Sequence, residues 1–304
     1  MSFLKPAKAL LTISTLLTIV SAVLLFVPGP KLSLEFTGGT LMEVVIPQGK
    51  TKEDILQALR SFQPTAESEG LGNATVSVTK QGTALIRARD ISNEEHLSLV
   101  QHMEKTLGGT IDERQYTTIG PTVGSTLKRR ALWALVVASI TIILYIAVAF
   151  KNVPRKLNPW KFGLFAVIAM VHDTLITTGI FTILSRTTTF EMDTLFITAL
   201  LTLFGFSVND TIVIFDRIRE NVGYQERGED FASVADRSLS ETFKRTVITT
   251  TGALIMLFAL LFLGPDSIFW FILALIIGTG LGTYSSYFIA TPLLVYWRKK
   301  PQYS

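Results

Sequence analysis

Apolar residues fill six long stretches of the chain, near 7–27, 131–150, 161–184, 194–215, 247–264 and 268–291. Each approaches the ~20 residues a helix needs to cross ~30 Å of hydrocarbon, which predicts six membrane-spanning helices. Between the first two the pattern changes to short alternating runs and amphipathic segments. Strand-like Leu32 to Phe36 and Leu41 to Ile46 flank the turn signal Thr37-Gly38-Gly39-Thr40. Helices are predicted to start at Thr51 and Ser92, where an acid three residues on, Asp54 or Glu95, completes capping-box spacing. Ala74 to Thr79 and Thr83 to Arg89 read as a hairpin around Gln81-Gly82, and Thr110 to Ile119 as a last strand. The order β, β-α-β-β-α-β predicts a ferredoxin-like α+β domain at 31–127, whose helices cover one sheet face and leave the other for a partner or an extended polypeptide.

Charge orients these elements. Lys and Arg collect in short connections on the cytoplasmic side, and four clusters qualify: Lys5 and Lys8; Lys151, Arg155, Lys156 and Lys161; the basic residues from Arg217 to Arg245; and Arg298, Lys299 and Lys300. The opposite connections hold Arg186 offset by Glu191, Asp193 and Asp266. Both termini are therefore expected in the cytoplasm and residues 31–127 outside. Lys128, Arg129 and Arg130 depart from the rule and are assigned to lipid headgroups or snorkelling. The first window is longer than a signal-peptide core and lacks an A-x-A site before Pro28-Gly29-Pro30, which predicts an uncleaved anchor. The expected organisation is 1–30, a cytoplasmic start and first span; 31–127, the outer domain; and 128–304, five spans with a cytoplasmic amphipathic loop at 216–246, whose part from Phe231 to Phe243 should lie along the membrane surface.

Within the windows the only acids are Asp173 and Asp210. Ionised groups at that depth cost ~2.5–3.5 kcal/mol even on the lenient insertion scale, so each needs a partner or a task. Asp210, beside Asn209, reads as a group that loads and releases a proton as its surroundings change. The competing reading is a hydrogen-bond anchor between helices, worth ~0.6–2 kcal/mol. For Asp173 the two readings stand level, since His172 or a nearby hydroxyl can satisfy it. Arg245, at the inner end of span five, is expected close in depth to Asp210. Gly278 and Gly282, with Thr283, Ser285 and Ser286 following, predict close backbone packing.

Other chemistry is excluded or unsupported. The chain has no cysteine, and its outer segment carries nine Lys or Arg against twelve Asp or Glu, which points away from nucleic acid. His96 and His102, six apart, do not share a helix face and make a poor metal pair. No phosphate-binding G-x-x-x-x-G-K-[ST] loop occurs. Energy for any work must come from elsewhere, and no cofactor is expected beyond a proton gradient.

Gly205-Phe-Ser-Val-Asn209-Asp210-Thr-Ile-Val-Ile-Phe-Asp216-Arg217-Ile-Arg219-Glu220-Asn221 resembles the signature of the SecF members of the SecD/SecF protein-translocase family, relatives of the RND transporters. Phe36-Thr-Gly38-Gly39-Thr40, His172-Asp173, Thr242-Phe-Lys-Arg245-Thr246 and Tyr284-Ser285-Ser286 are placed as in that family. The resemblance implies a multi-pass subunit of the bacterial cytoplasmic (inner) membrane, without hydrolytic chemistry, that pairs with SecD. It further implies work beside the SecYEG channel, with YajC and YidC as further candidates, and use of the proton motive force to pull unfolded preproteins out of the channel. Asp210 and Arg245 match the family's proton-pathway positions, to which Asn209, Asp173 and His172 are joined as candidates. Glu35 stands where the family has Asp, and Ser240 where Asn is expected.

The mechanism this suggests is that Asp210, reached by protons from outside, neutralises, changes its contact with Arg245 and tilts the outer domain. Two other classes compete: a half-size proton-coupled exporter of lipids or drugs, and an uncoupled assembly factor in which Asp210 only fastens helices. The modest, polar outer domain argues against the exporter.

Overall fold

The structure, a computed structural model, describes residues 3–47, 49–63, 70–71, 73–79, 82–150, 158–226 and 229–298. Lys151, Arg155, Lys156, Lys299, Lys300 and Gln81, which entered the charge and turn readings, lie outside the described residues. The chain divides into two compact units, Leu32–Arg130 and the remainder, Met1–Lys31 with Ala131–Ser304.

The smaller unit runs α2 (Leu34–Thr37), β1 (Gly39–Val45), α3 (Lys52–Ser61), β2 (Thr75–Val78), β3 (Thr83–Ala88), α4 (Asn93–Leu107) and β4 (Glu113–Ile119). Its four strands are antiparallel in the order β2-β3-β1-β4, the ferredoxin-like arrangement. Helices α3 and α4 bury Ile55, Leu59, Leu99 and Met103 against Met42, Val44, Val76 and Ile86 of the sheet. Both helices begin with the capping boxes expected from Thr51/Asp54 and Ser92/Glu95.

The strand expected over Leu32 to Phe36 is instead a bend into one helical turn. Leu34 and Phe36 are buried, and the turn closes by Phe36 and Thr37 amides on the Ser33 carbonyl and Gly38 N–H on Leu34. The glycine pair then lets the chain leave with positive φ, 71° at Gly38 and 116° at Gly39, values a side chain resists. It also admits close contact: a Cβ on Gly39 would stand 2.6 Å from the Ala88 carbonyl oxygen, and one on Gly38 2.9 Å from Pro121 Cα. Alternation in so short a run did not distinguish a strand from this turn.

The other unit holds the apolar helices. Among the described residues six are long and apolar enough to cross a membrane: α1 (Ala7–Phe26), α5 (Pro121–Ala149), α6 (Pro159–Thr187), α7 (Thr194–Gly223), α8 (Phe231–Leu263) and a sixth over Asp266–Arg298. That last helix consists of a short 3₁₀ turn, α9 (Phe269–Ser285), a π-turn at Ser286–Ala290 and α10 (Thr291–Arg298). The expected loop at 216–246 is a different object. Helix α7 runs on to Gly223, α8 starts at Phe231, and the amphipathic residues of 231–246 are the unbroken first half of α8. An uninterrupted helix cannot turn onto the membrane surface, and this one packs on α7: Asn221 Nδ2 donates to Ser238 Oγ at 2.9 Å and Arg217 Nε to Glu241 Oε2 at 2.6 Å. Phe3 and Leu4 amides donate to Asp236 on the same half-helix, fixing which end of the bundle carries the N-terminus.

In the smaller unit, two bonds from the Arg89 guanidinium and one from the Ser92 amide hold the Glu95 carboxyl below its ordinary value of 4.5. A depressed carboxylate stabilises the fold above its unfolded pKa, and that contribution disappears as pH falls through the folded value. Glu95→Ala should cost about 1 kcal/mol at pH 7, with the gap to the parent closing below pH 4.5; hydrogen exchange of the α4 amides at two pH values measures it.

Candidate proton-handling site

Helix α7 enters the bundle with Ser207, Asp210 and Thr211 turned inward, all buried. Helix α9 meets them through glycine. A Cβ on Gly278 would overlap the Leu203 side chain, and one on Gly282 would stand 3.1 Å from Ser207 Cα. Small residues of this kind let membrane helices approach until short polar side chains reach across. The consequence is a hub at the end of α9, where five consecutive residues contact four different helices. Thr283 Oγ1 donates to Asp210 Oδ2 at 2.9 Å and pairs with Thr250 Oγ1 of α8 at 2.9 Å. Tyr284 Oη pairs with Ser14 Oγ of α1 at 2.8 Å. Ser285 Oγ donates to Asp173 Oδ2 of α6 at 2.7 Å. Ser286 Oγ pairs with Thr211 Oγ1 of α7 at 2.8 Å, and Tyr287 Oη with Thr242 Oγ1 of α8 at 3.3 Å. The π-turn begins at Ser286, and such turns are frequent at functional positions in helices.

The two buried acids have different surroundings. Asp173 is saturated: His172 Nδ1 at 2.9 Å on one oxygen, Ser207 and Ser285 hydroxyls, both at 2.7 Å, on the other. His172 Nε2 is buried without a partner among the described residues. Asp210 has one short bond, from Thr283, and lines a cleft of about 80 Å³ with Phe206, Asn209, Thr249, Thr250, Ala253, Thr279 and Thr283. A polar cleft of that size admits water. Among the described residues no cation pairs with Asp210.

Arg245 has no hydrogen bond or ion pair to Asp210 among the described residues. It stands one turn before Thr249 on α8 and lines a separate cleft of about 260 Å³ with Val213, Asp216, Arg217, Glu220, Glu241 and Thr242. Antiparallel packing puts Thr249 and Thr250 level with Asp210, which leaves Arg245 a turn nearer the termini. Asn209 is exposed on the isolated chain beside Asp210, while His172 and Asp173 form the second, enclosed cluster. The sequence places Thr283 on a packing face and gives no role to Thr250 or Ser207; threonines and serines recur through all the spans, and nothing local marks those that face an acid.

The family model described as "Protein export membrane protein SecD/SecF, C-terminal" matches residues 99–300, and one described as the SecD/SecF GG motif matches residues 23–45. The chain belongs to the SecD/SecF protein-export family. The protein translocase subunit SecF of Thermobaculum terrenum is 38% identical over 292 residues, covering 95% of this chain and 91% of that protein. That of Sebaldella termitidis is 34% identical over 303 residues, covering 99% and 94%. The crystal structure of SecDF, a translocon-associated membrane protein from Thermus thermophilus, superposes with a TM-score of 0.78 at 31% identity, covering 99% of this chain and 39% of that one. Family membership implies a multi-pass membrane subunit with a role in protein export, a transport task rather than catalysis. The glycine-pair motif falls on the tight exit of α2 into β1, where side chains have no room.

Asp173→Ala would leave His172 and the Ser207 hydroxyl buried without their acceptor, at a cost of about 3 kcal/mol. Thermal unfolding in mild detergent should show a clear drop in Tm for Asp173→Ala and a smaller one for Asp173→Asn, which keeps one acceptor oxygen.

Proposed function

We propose that this chain is a SecF-type subunit that, with SecD, uses the proton motive force in the late steps of preprotein export across the cytoplasmic membrane, and that Asp210 is the group that loads the proton. The observation that carries the reading is the contrast between the two acids. Asp173 is fixed by three donors and suits a structural role, whereas among the described residues Asp210 has one hydroxyl bond and no counter-cation, with a polar cleft beside it. A group held that loosely can change protonation without collapse of its surroundings.

Pairing with a second membrane half is supported by the outer surface of α7. Thr198, Thr202, Gly205 and Asn209 recur at helical spacing and are exposed on the isolated chain. Small and polar residues along one face are what membrane helix interfaces use, and the Asp210 cleft opens at this face through Asn209 and Phe206. A SecD-type partner seated there would enclose it. The SecYEG channel, the unfolded preprotein and both YajC and YidC enter only as the expected setting of such a complex. The chain's cytoplasmic termini and outer placement of residues 31–127 follow from the basic connections.

The energy is adequate. A proton moving through ~100 mV releases ~2.3 kcal/mol, which biases a two-state domain by roughly 50-fold. In this mechanism Asp210 takes a proton from the outer side, its bond to Thr283 is remade, and α9 shifts through the hub that also holds α1, α6 and α8. Alternation of the outer domain then stops the exported chain from sliding back.

Asp210→Asn keeps the volume and the bond to Thr283 but removes the titration. In inverted membrane vesicles the complex with SecD should assemble at parental levels, while the gradient-dependent part of export falls to background. Loss of assembly with unchanged gradient dependence in the surviving complex would instead assign Asp210 to helix anchoring.

A further inference from the structure

Threonines 242, 246 and 250 recur every four residues on α8 and so share one face. Thr242 and Thr246 are buried. Thr250 belongs to the Asp210 cluster through Thr283. Thr242 lines the second cleft, at the end of the bundle that carries the N-terminus, together with Arg217, Glu241 and Arg245. Thr246 lies between, and its hydroxyl has no hydrogen-bond partner among the described residues.

Across from this face stands Tyr287, 3% exposed, in the π-turn. Its hydroxyl is 3.3 Å from Thr242 Oγ1, and Tyr287 follows by four residues Thr283, which donates to Asp210. The ring is held without the hydroxyl: it packs on Phe3, Phe243 and Phe288 at centroid distances of 5.5, 5.9 and 6.4 Å. Packing alone would be served as well by phenylalanine, and a buried hydroxyl is costly unless it is used.

We infer that Tyr287, with Thr246 and Thr242, is the relay that passes the proton between Asp210 and the Arg217–Glu241–Arg245 cleft. This rests on the reading of Asp210 as the loading group. In the step, a turn of the π-segment brings the Tyr287 oxygen to the Asp210 carboxyl, which gives it its proton. Tyr287 gives its own hydroxyl proton to Thr242, and Thr242 gives its own to water in the inner cleft. Asp210 ends as carboxylate, each hydroxyl keeps one proton, and one proton has crossed.

The test uses the assembled complex in vesicles, reading proton uptake driven by an imposed gradient alongside recovery of the complex. Tyr287→Phe and Thr242→Val should assemble normally and lower proton uptake at least tenfold, whereas Thr242→Ser, which keeps the hydroxyl, should match the parent. Asp210→Asn, run in parallel, should abolish uptake. Parental uptake by Tyr287→Phe, with Asp210→Asn inactive, overturns the relay and leaves Asp210 as loading group. Parental uptake by Asp210→Asn overturns both.

Discussion

Polar groups set among apolar helices must find one another, and in this bundle they do so at a single level, the last turn of α9. Thr283, Tyr284, Ser285, Ser286 and Tyr287 each point to a different partner on α1, α6, α7 or α8. Each such contact between membrane helices is worth ~0.6–2 kcal/mol, and several together fix the helix positions. Movement of that turn therefore moves several helices together.

Glycine makes the hub possible. Serine and threonine reach only a short distance, so α7 and α9 must approach until Gly278 lies on Leu203 and Gly282 on Ser207. The same device recurs on a smaller scale in the other unit, where Gly38 and Gly39 bring the exit of α2 against Pro121 and Ala88. In both places the sequence feature is a missing side chain, and its effect is to place other groups within hydrogen-bond range.

The six spans and the ferredoxin-like domain were legible because each leaves a long periodic signal, apolar windows in one case and capping boxes with alternating runs in the other. Helix ends were not: α7 and α8 carry charged residues well beyond their apolar windows, and a charged amphipathic stretch reads alike whether it lies on a membrane or continues a helix. Asp210 and Asp173 stood out as charges in apolar runs. Their partners did not, because Thr250, Thr283 and Ser207 are ordinary residues made special by close packing. Asp210 and Arg245 line different clefts, a division that antiparallel register sets and composition does not show. Among the described residues it is the Thr283 hydroxyl, rather than a cation, that meets the acid.

The central claim is that Asp210 changes protonation under a gradient. Infrared difference spectroscopy of the complex in oriented vesicles, with the Asp210 carbonyl stretch assigned by subtraction of Asp210→Asn, reads this directly. The account predicts a protonated-carboxyl band that grows when the outer side is acidified and vanishes when the gradient is collapsed. A carboxyl that stays in one protonation state throughout, while export still responds to the gradient, would contradict it.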